Sequence, residues 1–345
     1  MPSKDVDQEL REAAGAGDLA KVSELIARGA DPLLGTSAAL RMAAANGHVD
    51  CVKFLIPLLD PKANDSRALR AAAQNRHAEC VRLLAPVSDC KAFDSFALQK
   101  AAEDGDAQGV KLLLPRSDPK AQGSAALSFA AGYGHAECVG LLLPVSDPKA
   151  GDSAALRWAA REGHVECARL LLPFSDPKAE DSKALQWAAI GGHEECVKLL
   201  LPVSDAKADN SCALRCAAMM GHAGCARLLL PASNAKDRDS EALSLAAGNG
   251  HEECVRLLLA ASGPLGEIDG LLEPVLEGGH AKVAALLMEE EPRLLVGMNL
   301  PKCIAEAIEN QHAALAALLA SMIDKRELSV IVKGEASKRV AAARL

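Results

Sequence analysis

Leucine and alanine recur along this chain at a fixed spacing of 29 residues. The leucine that anchors the pattern stands at positions 40, 69, 98, 127, 156, 185, 214, 243 and 272. The clearest unit runs from Ser153 to Asp181, where short apolar stretches alternate with Gly-His and Asp-Pro-Lys turn signals. A residue that recurs at one period occupies one structural position many times, so the pattern indicates a repeat protein.

The apolar spacing within a unit predicts two short helices joined by a tight turn. In the first helix, Leu156 and the Ala-Ala pair that follows it share one face, and Ser153 is the expected N-cap. Gly163 ends this helix, and His164 opens a second helix with a wider apolar stripe. Pro173 cannot donate to a further helical turn, so the chain returns through a loop.

Four sections follow from the register of the repeat. We predict an N-terminal capping repeat of divergent sequence at 1–38 and eight regular repeats at 39–270. Two divergent repeats follow at 271–323, and a basic C-terminal tail or cap with a local charge of +3 occupies 324–345. A unit this short cannot bury its apolar face alone, so neighbouring units must stack. We therefore predict an all-α solenoid of about eleven helix-turn-helix repeats.

The stretch A-A-x-x-G-H-x-E-C-V-x-L-L-L, as in Ala188 to Leu201 (AAIGGHEECVKLLL), resembles the ankyrin repeat. The resemblance extends from residue 9 to about residue 320. Ala154 to Arg157 reads A-A-L-R where that family has T-P-L-H, and each unit is about four residues shorter than the family's. The resemblance therefore implies short turns in place of projecting β-hairpins, with the binding surface moved onto the first helices.

Composition and charge narrow the class of protein. Apolar residues make up 50% of the chain but aromatic residues only 2%, so the core must be built from alanine, leucine and valine. The chain has no long apolar run and no basic-then-apolar start, which predicts a cytoplasmic protein without a membrane span or secretory signal, although export by another route stays open. A net charge of -8, with no cluster of lysine and arginine before the last twenty residues, argues against nucleic acid or anionic membrane as partners. We expect the protein to be a monomer and its partner to be another protein.

Seven of the eleven cysteines follow the repeat, at positions 51, 80, 138, 167, 196, 225 and 254. Each has a histidine three residues before it, a spacing that would let both side chains bind zinc from one helix face. Neighbouring pairs lie a helix-packing distance of about 10 Å apart, which is too far to complete a four-ligand site or to form disulfides. We predict that these cysteines are small buried hydrophobic residues, with no metal and no cofactor.

Two alternatives to a plain binding protein stay open. The denser group Cys212, Cys216, His222 and Cys225 would suit a soft-metal or redox-responsive protein. Ankyrin-like arrays also occur as secreted bacterial effectors and as immunity proteins that neutralise toxins, both of which would use the same binding face.

The candidate binding residues are at positions that vary between otherwise similar repeats. The second residue after the anchoring leucine, which in ankyrin repeats faces the concave groove, is aromatic in three consecutive repeats. Aromatic rings beside arginines are enriched at interface hot spots, whereas the competing interpretation is that the rings pack over neighbouring helices. We expect a partner-binding strip on the first helices between residues 125 and 190, made of Phe129, Tyr133, Arg157, Trp158, Arg161, Gln186, Trp187 and Ile190.

Catalytic motifs are missing from the sequence. It contains no G-x-S-x-G, no H-E-x-x-H and no phosphate-binding glycine loop, and no segment outside the repeats is long enough for an enzymatic domain. We therefore predict a non-enzymatic protein.

Overall fold

The computed structural model describes residues 4–31, 34–262, 270–290 and 299–323. It divides into two compact units, Met1–Ala179 and Glu180–Leu345. The basic section 324–345 lies outside the described residues. Within them no strand occurs, and no helix is long and apolar enough to span a bilayer.

The first unit holds six pairs of helices. Their bounds are α1 Lys4–Ala16, α2 Leu19–Ala27, α3 Leu34–Ala45, α4 Val49–Leu55, α5 Ala63–Gln74, α6 Ala78–Leu84, α7 Ala92–Glu103, α8 Ala107–Leu113, α9 Ala121–Gly132, α10 Ala136–Leu142, α11 Ala150–Arg161 and α12 Val165–Leu171. Single 3₁₀ turns follow α4, α8 and α12 at Ile56–Leu58, Leu114–Arg116 and Leu172–Phe174. Each of these turns contains one proline, at its second residue. The prediction that the second helix ends at the proline is confirmed.

The second unit continues the alternation of first and second helices. Its helices are α13 Ala179–Ile190, α14 Glu194–Leu200, α15 Ala208–Met220, α16 Ala223–Leu229, α17 Asp237–Gly248, α18 Glu252–Ser262, α19 Leu272–Glu277, α20 Ala281–Glu290, α21 Leu300–Glu309 and α22 Ala313–Ala320. A 3₁₀ turn at Leu230–Ala232 follows α16. The predicted all-α solenoid with shortened loops is confirmed.

Within each unit, first helices pack on first helices and second helices on second helices. In the first unit α7 contacts α9 and α9 contacts α11, while α8, α10 and α12 pack in the same order. In the second unit α15 packs on α17, and α14, α16 and α18 follow one another. Each repeat is therefore held by its sequence neighbours, as expected of a solenoid.

Small side chains fill the core between the two layers. The anchoring leucines and the Ala-Ala pairs are fully buried or nearly so, and alanine lets neighbouring helices approach closely. Cys51, Cys80, Cys138, Cys167, Cys196, Cys225 and Cys254 are also at most 1% exposed. The prediction that the periodic cysteines are buried packing residues is confirmed.

The loop between repeats is a short left-handed turn. Gly151, Asp152 and Ser153 have φ angles of 56°, 54° and 60°, and the matching triplets of other repeats share this conformation. The buried Oγ of Ser153 accepts a hydrogen bond from the backbone amide of Asp176 at 2.8 Å. This corrects the expectation that Ser153 caps its own helix, because its hydroxyl instead joins one loop to the next.

Aspartates in the Asp-Pro-Lys turns have a structural role too. The Oδ1 atom of Asp176 accepts a hydrogen bond from the amide of Lys178 at 2.9 Å, and the equivalent bond recurs at Asp60, Asp89, Asp118, Asp147 and Asp205. An aspartate that bonds the amide two residues on closes an Asx turn. The turn therefore forms without projecting hairpins.

Histidines at the start of the second helices connect neighbouring repeats. The Nε2 atom of His77 lies 2.9 Å from the carbonyl oxygen of Ala45, and that of His135 lies 2.9 Å from the oxygen of Glu103. Asp106 occupies the same position in one repeat, where it caps its own helix by accepting from the amide of Gly109. The histidine side chain therefore bonds the preceding repeat, whereas the aspartate side chain caps its own helix.

Candidate functional site

The predicted aromatic strip has its most exposed members on α9 and α11 of the first unit. Trp158 is 40% exposed, Phe129 38% and Tyr133 57%. These values are high for rings in a protein whose other large apolar side chains are mostly buried. We call Phe129, Tyr133, Arg157, Trp158 and Arg161 the aromatic patch.

Trp158 lies close to a glycine of the neighbouring first helix and to an arginine of its own helix. Gly132, at the end of α9, leaves room beside it, because a Cβ atom on that glycine would lie 3.3 Å from the Cβ of Trp158. The guanidinium carbon of Arg161 lies 5.0 Å from the centre of the tryptophan ring, within cation–π distance. The Trp158 side chain therefore starts close to the backbone of α9, while 40% of the residue stays open to solvent.

The flanking members of the aromatic patch have fixed partners of their own. Arg157 donates from Nη2 to the carbonyl oxygen of Gly151 at 2.7 Å, and the Nε of Arg161 lies 3.4 Å from a carboxylate oxygen of Glu162. The Tyr133 ring stacks on His135, with ring centres 6.5 Å apart. These contacts reduce the side-chain entropy that a bound partner would otherwise have to remove.

The remaining predicted residues belong to α13 in the second unit. Ile190 is 36% exposed and Trp187 is half-buried. Gln186 is buried, and its Nε2 donates to the carbonyl oxygen of Asp181 at 2.7 Å. The structure thus does not offer Gln186 to a partner, because burial and this bond commit the side chain to its own helix.

Of the four side chains considered for a metal or redox site, two lie in contact. The Sγ atoms of Cys212 and Cys216, one turn apart on α15, are 3.7 Å apart. His222 instead bonds the carbonyl oxygen of Ile190 at 2.9 Å, and Cys225 is buried. Among the described residues no group of three or more histidine, cysteine, aspartate or glutamate side chains could hold a metal ion.

The two contacting thiols differ in acidity. A hydrogen bond with Cys216, supported by Arg215, lowers the pKa of Cys212 to about 7 despite its burial. The same bond and burial raise the pKa of Cys216. Cys225 has a pKa raised to about 11 by burial, so it would stay protonated at neutral pH. The group supports at most one reactive thiol, not a set of four ligands.

Sequence analysis missed a second feature of the first-helix face, in the N-terminal repeats. Arg41, Arg67 and Arg70 line one cavity together with Phe93, which is 59% exposed. Arg41 and Arg70 occupy the same position of successive repeats. The sequence signal for the pair is arginine directly after the anchoring leucine in two successive repeats.

Comparison with known proteins identifies the repeats. A family model described as ankyrin repeats in three copies matches residues 10–94, 98–181, 141–210, 156–240 and 185–269. These overlapping matches cover well over half of the chain. A search of curated proteins finds no match to this sequence.

Proposed function

The chain belongs to the ankyrin-repeat family, a class of protein–protein interaction modules, and on that basis we propose that it is a non-enzymatic protein that binds another protein through its first-helix face. In the first unit the proposed contacts are those of the aromatic patch. In the second unit they are Trp187 and Ile190. Gln186 is not among these proposed contacts, because its side chain is buried.

One observation carries the proposal: Trp158 is 40% exposed and has the guanidinium group of Arg161 within cation–π distance. The fold itself does not require a ring at this position, because Ala71 and Lys100 occupy it in other repeats. An exposed tryptophan beside an arginine has the composition of an interface hot spot.

The test is affinity capture with three baits. Wild type is compared with Trp158→Ala/Arg161→Ala and with a matched control, Glu166→Ala/Arg169→Ala, which removes an exposed ion pair from the second helix of the same repeat. A protein recovered by wild type and by the control, but lost with the aromatic-patch variant, supports the proposal. A partner captured equally by all three baits contradicts it.

The identity of the captured protein also separates the biological roles. A toxin would point to an immunity protein, and a host protein would point to an exported effector. Both roles use the same proposed surface, so the bait comparison is valid for either.

A further inference from the structure

A cavity of about 630 Å³ opens on the first helices of the N-terminal repeats, on α3, α5 and the start of α7. These are not the helices of the aromatic patch. Three arginines line the cavity, Arg41, Arg67 and Arg70, with Asp65 as its one acidic residue and Phe93 at its border. The site is therefore a concentration of positive charge in a chain whose net charge is -8.

The one acidic residue of the cavity, Asp65, offsets only part of the charge of the three arginines. Among the described residues, none of the three arginines has a carboxylate oxygen within ion-pair distance. Arg70 donates from Nε and Nη2 to the backbone carbonyl oxygens of Asp65 and Asn64, at 3.0 and 3.2 Å. Those bonds fix the guanidinium group without neutralising it, and they leave Nη1 to a ligand.

The Arg70 guanidinium group also stacks on the Phe93 ring and is partly shielded from solvent. Its guanidinium carbon lies 3.7 Å from the centre of the Phe93 ring. Burial lowers the pKa of Arg70, an effect that Asp65 opposes and that the nearby charge of Arg67 reinforces. An anion placed between the arginines would relieve both the repulsion and the lost hydration, and the exposed Phe93 ring offers an apolar contact beside it.

We propose that this cavity binds an acidic peptide segment of a protein partner, with carboxylates on Arg41, Arg67 and Arg70 and an apolar side chain against Phe93. The inference rests on the proposed function, since the ligand is part of a protein, but it uses a different set of residues.

A nucleic acid suits the cavity less well than a peptide. A phosphate backbone needs a basic stripe that runs along several repeats. The position of Arg41 and Arg70 is occupied by Gln99 and Ser128 in the next two repeats, so the positive charge ends after α5. A short acidic segment matches this limited patch.

The test is fluorescence anisotropy on the full chain with a short fluorescein-labelled peptide of alternating glutamate and leucine. The same peptide with glutamine in place of glutamate controls for charge, and inorganic phosphate is titrated as a competitor. Arg41→Gln and Arg67→Gln should each weaken binding of the glutamate peptide about tenfold. Arg70→Lys, which keeps the charge but loses the planar fork, should also weaken it.

The control variant is Arg82→Gln, which removes the same charge from the second helix of the same repeat. It should bind the glutamate peptide as wild type does, with circular dichroism confirming that all variants are folded. Equal binding of the glutamine peptide, equal loss with Arg82→Gln, no binding of the glutamate peptide, or equally tight binding of phosphate would each overturn the inference.

Trp158→Ala separates this inference from the proposed function. The variant should bind the glutamate peptide with wild-type affinity, because Trp158 does not line the cavity. If the peptide fails to bind while capture still depends on Trp158, only the present inference is wrong. If the peptide binds through the arginines while capture does not depend on Trp158, only the aromatic patch is wrong.

Discussion

His164 occupies the space that a side chain on Gly134, in the preceding repeat, would need. A Cβ atom on Gly134 would lie 2.6 Å from the Nδ1 of His164, and the backbone of Gly134 has a φ angle of 81°. Positive φ alone does not explain the glycine, because Arg76 has a φ of 63° at the same position of another repeat. The repeat that follows Arg76 has Asp106 where the others have histidine. The glycine is therefore required by the histidine of the next repeat.

Gly134→Ala should lower the free energy of unfolding by about 2 to 4 kcal/mol, since it combines a left-handed alanine with a clash against His164. The matched control is Arg76→Ala, which keeps a Cβ in the same conformation and loses an ion pair with Asp104, a carboxylate that still has Lys100 as a partner. That change should cost about 1 kcal/mol or less. Urea denaturation of both variants measures the difference, and equal losses would show that the histidine is not the cause.

Deletion of whole repeats tests the same relationship across the stack. Removing residues 97–125 joins equivalent positions but brings Arg76 against His135, whereas removing 126–154 brings Gly105 against His164. Both proteins should stay helical, because stability in a solenoid is a sum over neighbours. The protein lacking residues 97–125 should be less stable than the protein lacking 126–154 by about 2 kcal/mol, because Arg76 has a Cβ that meets His135.

Arg76→Gly should restore the stability of the 97–125 deletion protein. Thermal melting followed by circular dichroism compares the three proteins. Aggregation of both deletion proteins would contradict the solenoid, and a missing rescue would contradict the role of the glycine.

Sequence periodicity predicted the fold but not every side-chain environment. The 29-residue spacing fixed the helix pairs and the buried cysteines, because both depend on a pattern that repeats. It did not predict that Ser153 would bond the next loop, since that depends on a left-handed turn of three residues, of which only the middle position is always Asp, Asn or Gly. Burial of Gln186 was missed because a position that varies between repeats is not necessarily exposed.

The arginine cavity was missed for a different reason. A search for charge clusters along the sequence compares close neighbours, whereas Arg41 and Arg70 are 29 residues apart. Stacking of repeats places such residues side by side. Charge in a solenoid has to be counted by repeat position.

Buried thiols should make the protein sensitive to alkali. Burial raises the pKa of Cys138, Cys167 and Cys196 from 9.0 to about 11. Between these pH values the unfolded chain loses thiol protons that the folded chain keeps. Ionisation therefore stabilises the unfolded state relative to the folded state, and the free energy of unfolding falls as pH rises. Each such thiol should contribute on the order of 2 kcal/mol to this fall.

Cys138→Val/Cys167→Val should flatten the loss of stability between pH 9 and pH 11. At pH 7 each change should cost about 1.5 kcal/mol or less, as for other near-isosteric core replacements. Urea denaturation across the pH range gives both results. Identical slopes for wild type and variant would show that these thiols ionise as freely in the folded chain as in the unfolded one.

Cys212 should be the fastest-reacting thiol of the native protein. Its pKa is lowered to about 7, so its alkylation by iodoacetamide should rise with pH and reach half its maximum near pH 7. Cys216→Ala should move this midpoint upward, because it removes the hydrogen bond from Cys216 that is the largest cause of the shift. Peptide mapping of the alkylated protein identifies the residue, and a first modification at a buried periodic cysteine would contradict the assignment.

The most direct test of the binding surface is a paired measurement on Trp158→Ala: its melting temperature and its affinity for the protein captured by wild type. A truncated hot-spot tryptophan loses about 2 to 4 kcal/mol of binding, so the Kd should rise roughly thirty- to a thousand-fold. Melting should shift by only about 2 °C or less, because 40% of the residue is open to solvent and the helices beneath it keep their contacts. A variant that melts many degrees lower but binds its partner with unchanged affinity would show that Trp158 is a packing residue and that the aromatic patch is not the binding site.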